Sequence, residues 1–147
     1  MDFNLTKEQE LVVNKAREFS QKELQPITID NDETREFPID AYKKLGSMGM
    51  LGLPYSKEYG GSGGDYLSYV LAVEEVSKIH ASLGIAYSVS VSLCAGGIFS
   101  SASEELKKKY LPDILSGKKL GSFGLTEPNA GSDASGAQTK IGRASCR

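Results

Sequence analysis

The spacing of the apolar residues predicts that most of this chain is helical. Val12, Ala16 and Phe19 recur at intervals of three and four residues, which places them on one face of a first helix. Residues 6–9 (TKEQ) form a capping box, in which the threonine and glutamine side chains accept hydrogen bonds from backbone N–H groups at the helix start. Pro26 ends the helix, because proline has no N–H to donate to the preceding turn.

A second helix is predicted to begin at Pro38, whose fixed φ suits the first turn of a helix. Ile39, Tyr42 and Leu45 follow at helical spacing, and we expect all three to face the core. The polar residues 30–36, which lie between the two helices, are predicted to form a solvated connection.

A third helix is predicted after Asp65, which is suited to cap it, and the glycine-rich residues 60–64 before it are predicted to be a connector. Its apolar residues leave little polar surface, so we expect a central, buried helix; they are Leu67, Val70, Leu71, Val73 and Val76. Glu74 and Glu75 are adjacent and point about 100° apart on a helix, which favours solvated or salt-bridged roles over a catalytic pair.

Residues 82–101 (SLGIAYSVSVSLCAGGIFSS) form a fourth segment, rich in small and hydroxyl side chains. Small residues on a buried helix leave room either for a ligand or for a closely packed helix at Ala95, Gly96 and Gly97, and periodicity leaves both open. A last helix is predicted to begin after Ser103, which caps it, and to end at Gly117.

The passage after the helices has a different pattern. Alternation over residues 120–125 predicts a strand with Phe123 and Leu125 on one face, ended by Pro128. Residues 129–133 (NAGSD) are short and polar around a glycine, and successive backbone N–H groups in such a loop can bind an anion. By spacing alone this is either a plain turn or a site for a phosphate-bearing ligand.

Composition narrows the functional classes. The net charge of −2 provides no basic surface for nucleic acid or anionic lipid. No apolar run approaches the roughly 20 residues that span a bilayer, and residues 1–15 lack the apolar core of a secretory signal. One histidine and two cysteines argue against a metal site or a disulfide framework. We therefore expect a cytoplasmic protein without a bound metal, nucleic-acid partner or membrane partner.

Residues 123–133 (FGLTEPNAGSD) resemble the flavin-binding segment of the acyl-CoA dehydrogenases. Residues 1–6, 56–64 and 72–78 are similar to the bacterial short-chain, butyryl-CoA-type members of that family. The resemblance covers residues 1 to about 140, whereas members of the family are more than twice as long. It implies a mainly α fold: an N-terminal helical domain over residues 1–117, followed by the truncated start of a β-domain over residues 118–140.

Residues 141–147 (IGRASCR) do not continue the family pattern and look like a translated sequencing adapter. We therefore expect a non-native tail, a natural sequence interrupted near Lys140, and no functional weight for Cys146.

The resemblance also implies a site. FAD would be contacted by Phe123, Gly124, Leu125 and Thr126, with Gly131 and Ser132 near its pyrophosphate. The acyl-CoA substrate would lie against three residues of the fourth segment and, again, Ser132; those three are Val89, Ser90 and Leu93. Glu127 would be structural, because the family's catalytic carboxylate comes from a later helical domain that this sequence does not contain.

The activity implied is oxidation of a short-chain acyl-CoA to the trans-2-enoyl-CoA, with electrons passed to an electron-transferring flavoprotein. The resemblance further implies a homo-oligomer, a tetramer, for the intact protein, and an inactive fragment. Two alternatives stay open: an acyl-CoA oxidase of the same fold, and a helical binding module without catalysis.

Overall fold

The computed structural model describes residues 4–140, so the tail at 141–147 lies outside the described residues. Within this part of the chain the secondary structure is helical and contains no strand, as the mainly α prediction requires. The α-helices are α1 (Lys7–Phe19), α2 (Thr28–Thr34), α3 (Ile39–Ser47), α4 (Tyr66–Ser77), α5 (Ala81–Ser88), α6 (Gly96–Ser101) and α7 (Glu104–Leu115). Short 3₁₀ turns cover Met50–Gly52, Lys57–Tyr59 and Ala134–Gly136.

Two π-helical stretches extend these helices. Ser20–Leu24 continues α1, and Val89–Ala95 joins α5 to α6, so that residues 81–101 form one uninterrupted helical run. π-helical turns are uncommon and occur frequently at functional sites, which draws attention to the stretch between α5 and α6.

The predicted start of α1 is confirmed. The Thr6 hydroxyl accepts a hydrogen bond from the Gln9 backbone N–H at 3.2 Å, and the Thr6 N–H donates to the Gln9 side chain at 3.0 Å. Gln9 is itself buried and donates to the Asp65 carboxylate at 3.1 Å. Asp65 also accepts the Ser68 N–H at 2.6 Å, so one hydrogen-bonded group holds together the starts of α1 and α4.

The core lies where α4 packs between α1 and α5, with α3 and α7 closing the remaining sides. Its largest fully buried side chains are Tyr42, Tyr87, Leu24, Leu45, Leu51, Leu83, Leu111, Leu115, Val76 and Val91. The buried phenol groups are hydrogen-bonded; Tyr87, for example, donates to the Met50 carbonyl at 2.8 Å. Burial of these hydroxyls is tolerated because each has a partner.

Residues 30–36, which were predicted to form a solvated connection, mostly belong to the short helix α2. The Thr28 hydroxyl donates to the Leu24 carbonyl at 2.8 Å and to the Ile79 carbonyl at 3.2 Å, which fixes the first turn of α2 against the chain before α5. None of the side chains of α2 is buried, so the predicted exposure to solvent is confirmed, and the connection is helical.

The predicted burial of α4 is only partly correct. Leu67 and Val70 are 48% and 46% exposed, while the buried face consists of Ser68, Tyr69, Ala72, Glu75 and Val76. Because α4 is apolar on nearly every side, the sequence does not indicate which face its neighbours cover. Ile39 of α3 is likewise exposed, although Tyr42 and Leu45 are fully buried as predicted.

The predicted strand over residues 120–125 is not formed. These residues have no regular secondary structure and pair with no other segment of the described chain, and the isolated bridge between Glu127 and Ala130 closes a turn instead. A strand needs a neighbour to satisfy its backbone groups, and residues 4–140 provide none at this position.

The helical run Ala81–Ser101 corrects the prediction that no apolar stretch is long enough to span a bilayer. It has 21 residues and a mean hydropathy of 1.6, so by length and composition alone it is able to cross a membrane. Core helices of water-soluble proteins pass the same test, and here Leu83, Tyr87 and Val91 are fully buried against the other helices. The expected lack of a membrane partner therefore stays a prediction.

Candidate functional site

The π-helical stretch Val89–Ala95 is in contact with Gly121, which lies two residues before the predicted flavin residue Phe123. Ser90 lies at the centre of this junction and is fully buried. Its hydroxyl forms a 2.6 Å hydrogen bond with the hydroxyl of Tyr42, which is also fully buried and belongs to α3. Helix α3, the π-helical stretch and the chain at Gly121 are thus joined at one point.

Gly121 packs directly on this hydrogen-bonded pair. A Cβ atom added to Gly121 would lie 2.8 Å from the Ser90 Oγ, and 3.0 Å from both the Cβ and the Sγ of Cys94. Glycine is therefore required for this close approach. Burial raises the pKa of Tyr42, while hydrogen bonds from Ser90 and from the backbone of Gly121 act in the opposite direction.

The sequence contains a signal for this contact at Gly121. A glycine inside a strand-like pattern often marks the close approach of another backbone or ligand, and Gly121 interrupts such a pattern. The importance of Tyr42 beyond core packing could not be found in the same way, because its partner Ser90 is 48 residues away in the chain.

Beyond Gly121 the segment turns its side chains to solvent. Phe123 and Leu125 are 49% and 53% exposed, and Thr126 is exposed as well. Cβ atoms added to Gly124 and Gly131 would meet nothing within 4 Å, so both backbones are open. The predicted flavin residues therefore form an accessible surface. It consists of two large apolar side chains, one hydroxyl group and the uncovered backbone of two glycines.

The loop after this surface is held by Glu127. The Glu127 N–H donates to the Ala130 carbonyl at 3.0 Å, which closes the turn around Pro128. Its carboxylate accepts the backbone N–H groups of Gln138 at 2.7 Å and of Thr139 at 2.9 Å. These interactions, led by those with Thr139, lower the pKa of Glu127, as expected for a structural carboxylate rather than a general base.

The predicted substrate residues are placed differently from one another. Leu93 is exposed and Val89 is half-buried, whereas Ser90 is covered by Gly121 and bonded to Tyr42. The structure thus places Ser90 against Gly121, which precedes the predicted flavin residues in the chain. The role of these three residues in substrate binding stays a prediction, as does that of Ser132.

Glu75 has the salt-bridged role expected for it. Its carboxylate is largely buried and accepts two hydrogen bonds from Arg17, at 2.9 and 3.1 Å, and one from Lys78 at 2.8 Å. Hydrogen bonding from Arg17 is the main reason that the pKa of Glu75 is lowered. Glu74 forms only an ion pair with Lys78 at 3.0 Å between half-exposed side chains.

A large groove of about 840 Å³ lies elsewhere, between α2 and the start of α5. Its lining includes Phe37, His80 and Ile85 and none of the predicted flavin residues. His80 is buried at its edge, where the imidazole Nδ1 accepts the Leu83 N–H at 3.4 Å and caps α5. His80 therefore has a structural role as the N-cap of α5.

Comparison with known proteins identifies the fold. The family model described as acyl-CoA dehydrogenase, N-terminal domain, matches residues 6–118, which is most of the chain. The chain therefore belongs to the acyl-CoA dehydrogenase family, as the flavin-segment resemblance indicates.

Individual relatives agree with this assignment. The chain is 53% identical over 139 residues to the short-chain-specific acyl-CoA dehydrogenase of Clostridium acetobutylicum, and the match covers 95% of the chain and 37% of that relative. This chain therefore spans little more than a third of the length of the curated relative.

Solved structures give the same result. Butyryl-CoA dehydrogenase from Megasphaera elsdenii superimposes with a TM-score of 0.89 at 45% identity, over 95% of this chain and 37% of that one. An acyl-CoA dehydrogenase from Bacillus anthracis, determined in complex with FAD, superimposes with a TM-score of 0.85 at 34% identity, over 91% and 23% of the two chains.

Proposed function

We propose that this chain forms the N-terminal helical part of an FAD-dependent acyl-CoA dehydrogenase, an oxidoreductase that converts a short-chain acyl-CoA to the trans-2-enoyl-CoA. The observation that carries the proposal is the exposed segment 123–133, which has the family's flavin pattern without interruption. The similarity to a relative described as short-chain specific supports the substrate class.

The described residues fit a flavin. The apolar side chains of Phe123 and Leu125 stand in solvent, where a flat aromatic ring system would bury them favourably. The backbones of Gly124 and Gly131 are open to approach, and the exposed Thr126 hydroxyl is able to donate to a polar ring edge. Ser132 follows the open Gly131 backbone, in a position suited to the pyrophosphate of FAD and to bound CoA.

The chemistry divides between the flavin and the protein. FAD, when bound, supplies the acceptor for the hydride that leaves the β-carbon. The residues of this chain bind and orient the flavin and the substrate, and two candidate bases are already engaged: Glu75 in an ion pair and Glu127 in backbone hydrogen bonds. We infer that the base that removes the α-proton lies in the part of the protein that corresponds to the rest of the relatives' length.

The remaining parts of the proposal concern the intact protein. Its electrons pass to an electron-transferring flavoprotein, its oligomer is a homotetramer and its location is cytoplasmic; the family resemblance and the composition support these points. Val89 and Leu93, which lie one helical turn apart with partly exposed side chains, are proposed to limit the length of the acyl chain.

The full-length gene product provides the test. We expect a yellow protein with bound FAD that oxidises butyryl-CoA much faster than palmitoyl-CoA. Burial of each methylene contributes roughly 0.8 kcal/mol, so a cavity that ends early loses this contribution over many carbons. A colourless, folded protein that FAD does not reconstitute would refute the flavin assignment. A preference for palmitoyl-CoA would instead refute only the short-chain assignment.

A further inference from the structure

The hydroxyl groups of Tyr42 and Ser90 are buried next to the segment that carries the proposed flavin residues, and we propose that they are positioning residues for FAD. By holding Gly121, this pair of hydroxyls fixes the start of residues 123–126 relative to the helices. The inference rests on the proposed function and assigns to Ser90 a role in cofactor placement.

The hydrogen-bond geometry supports this role. The Tyr42 hydroxyl and the Ser90 hydroxyl share a 2.6 Å hydrogen bond, and Gly121 lies against the Ser90 Oγ. Both hydroxyls are fully buried, and a buried hydroxyl without a partner is costly. The two hydroxyls therefore satisfy each other, and loss of either one leaves the other without this partner.

Steric contact reinforces the hydrogen bonds. Gly121 rests on Ser90 and Cys94 so closely that no side chain fits, and it lies two residues before Phe123. One residue separates Gly121 from Phe123, so a shift of the backbone at Gly121 also moves Phe123. The segment beyond has no strand partner among residues 4–140, so no sheet fixes its position.

Packing of α3 does not itself require the phenol oxygen. Leu45 is fully buried on the same face, and Gly46 packs so closely on Ser116 and Gly117 that an added Cβ would lie 2.3 Å from the Ser116 carbonyl oxygen. The Tyr42 ring fills the core whether or not it carries the hydroxyl. The ring of Tyr42 thus serves core packing, and we assign to its hydroxyl the positioning of the segment that begins at Gly121.

The test compares matched variants of the full-length protein. Tyr42→Phe and Ser90→Ala remove the proposed pair. Tyr87→Phe removes a buried phenol bonded to the Met50 carbonyl, and Ser92→Ala removes a hydroxyl that bonds only within its own helical stretch, to Ser88. We expect the first two to weaken FAD binding about five- to tenfold and to shift the visible flavin absorption bands, and the controls to change FAD affinity less than twofold.

Several outcomes would overturn the inference. One is a wild-type protein that binds FAD while Tyr42→Phe and Tyr87→Phe weaken binding equally, which would indicate a general stability effect. Another is a Ser90→Ala variant with a raised KM for butyryl-CoA and unchanged FAD affinity, which would place Ser90 at the substrate instead.

Hydrogen exchange separates this inference from the proposed function. If the wild-type protein binds no FAD, the flavin proposal fails, and amide exchange over residues 120–126 still tests the attachment. Faster exchange in Tyr42→Phe than in Tyr87→Phe would support the holding of Gly121. Equal exchange in the two variants would overturn it.

Discussion

Glu75 shows how a single residue can connect sequence pattern to stability. Its largely buried carboxylate would be costly without partners, and it has three hydrogen bonds from the cationic groups of Arg17 and Lys78. The sequence predicted a salt-bridged role for Glu75 but not its main partner, since Arg17 lies 58 residues away. Only folding of α1 against α4 brings the two side chains together.

The variant Glu75→Gln is expected to lose about 1–2 kcal/mol of unfolding free energy at pH 7. This is less than for a fully buried ion pair, because the Arg17 side chain is about half exposed. Urea unfolding of the 147-residue chain provides the measurement. Glu74→Gln is the matched control, with an expected change within about 0.5 kcal/mol because its ion pair is exposed.

The variant Glu75→Gln should also change how the unfolding free energy depends on pH in the acid range. The pKa of Glu75 is lowered in the folded chain, so its contribution is present above the unfolded pKa of about 4.5 and is lost as the pH falls through the folded pKa. Glu75→Gln should therefore have a shallower fall in stability below about pH 4.5 than the wild type. Curves of equal slope would show that Glu75 contributes nothing in the acid range.

At the scale of elements, the helical run Ala81–Ser101 is packed closely at some of its small residues and open at others. Close packing occurs at Gly84, where an added Cβ would lie 2.1 Å from the Ser77 Oγ and 3.0 Å from the Ser77 Cα. At Gly97 an added Cβ would meet nothing within 4 Å. The run therefore packs closely at Gly84 and buries Ala95 completely, whereas Gly97 faces open space.

Alanine at the two glycines should have opposite effects. Gly84→Ala is expected to destabilise the chain by about 1–3 kcal/mol, because the Ser77 side chain and backbone must move. Gly97→Ala lies in the same helical run without a clash, and is expected to stabilise by about 0.5–1 kcal/mol through helix propensity. Thermal unfolding of the 147-residue chain measures both, and destabilisation by the two changes alike would contradict the packing described.

The elements also show which parts of the fold are readable from sequence. The start of α1 was predictable because a capping box is a local signal, and Gly117 ends α7 with a φ of +75° as expected. The exposed face of α4 was not predictable, since its apolar residues encircle the helix. Which of them are buried depends only on where the neighbouring helices pack. The prediction of a strand at 120–125 was wrong for a related reason. The alternating pattern is a local signal, but a strand also needs a second strand to pair with, and residues 4–140 contain none.

At the scale of the whole molecule, many large apolar side chains are exposed. Among the described residues they include Leu67, Val70, Ile85, Leu93, Phe99, Phe123 and Leu125. Sequence patterning assigned Leu67 and Val70 to the core, and this is why it overestimated burial in α4. Such exposure supports the proposal that the chain acts as one part of a larger acyl-CoA dehydrogenase, whose other parts cover these residues.

This proposal predicts the behaviour of the 147-residue chain by itself. With added FAD it should not catalyse butyryl-CoA-dependent reduction of an artificial electron acceptor, whereas the full-length protein should. Loss of a general base typically costs roughly 10²–10⁴-fold in rate, and loss of transition-state hydrogen bonds adds to this. Glu75 and Glu127 are not free to replace the base, because both accept hydrogen bonds that lower their pKa values. Turnover near that of the full-length protein would contradict the proposal, and Glu127→Gln would then show whether the loop carboxylate is the base.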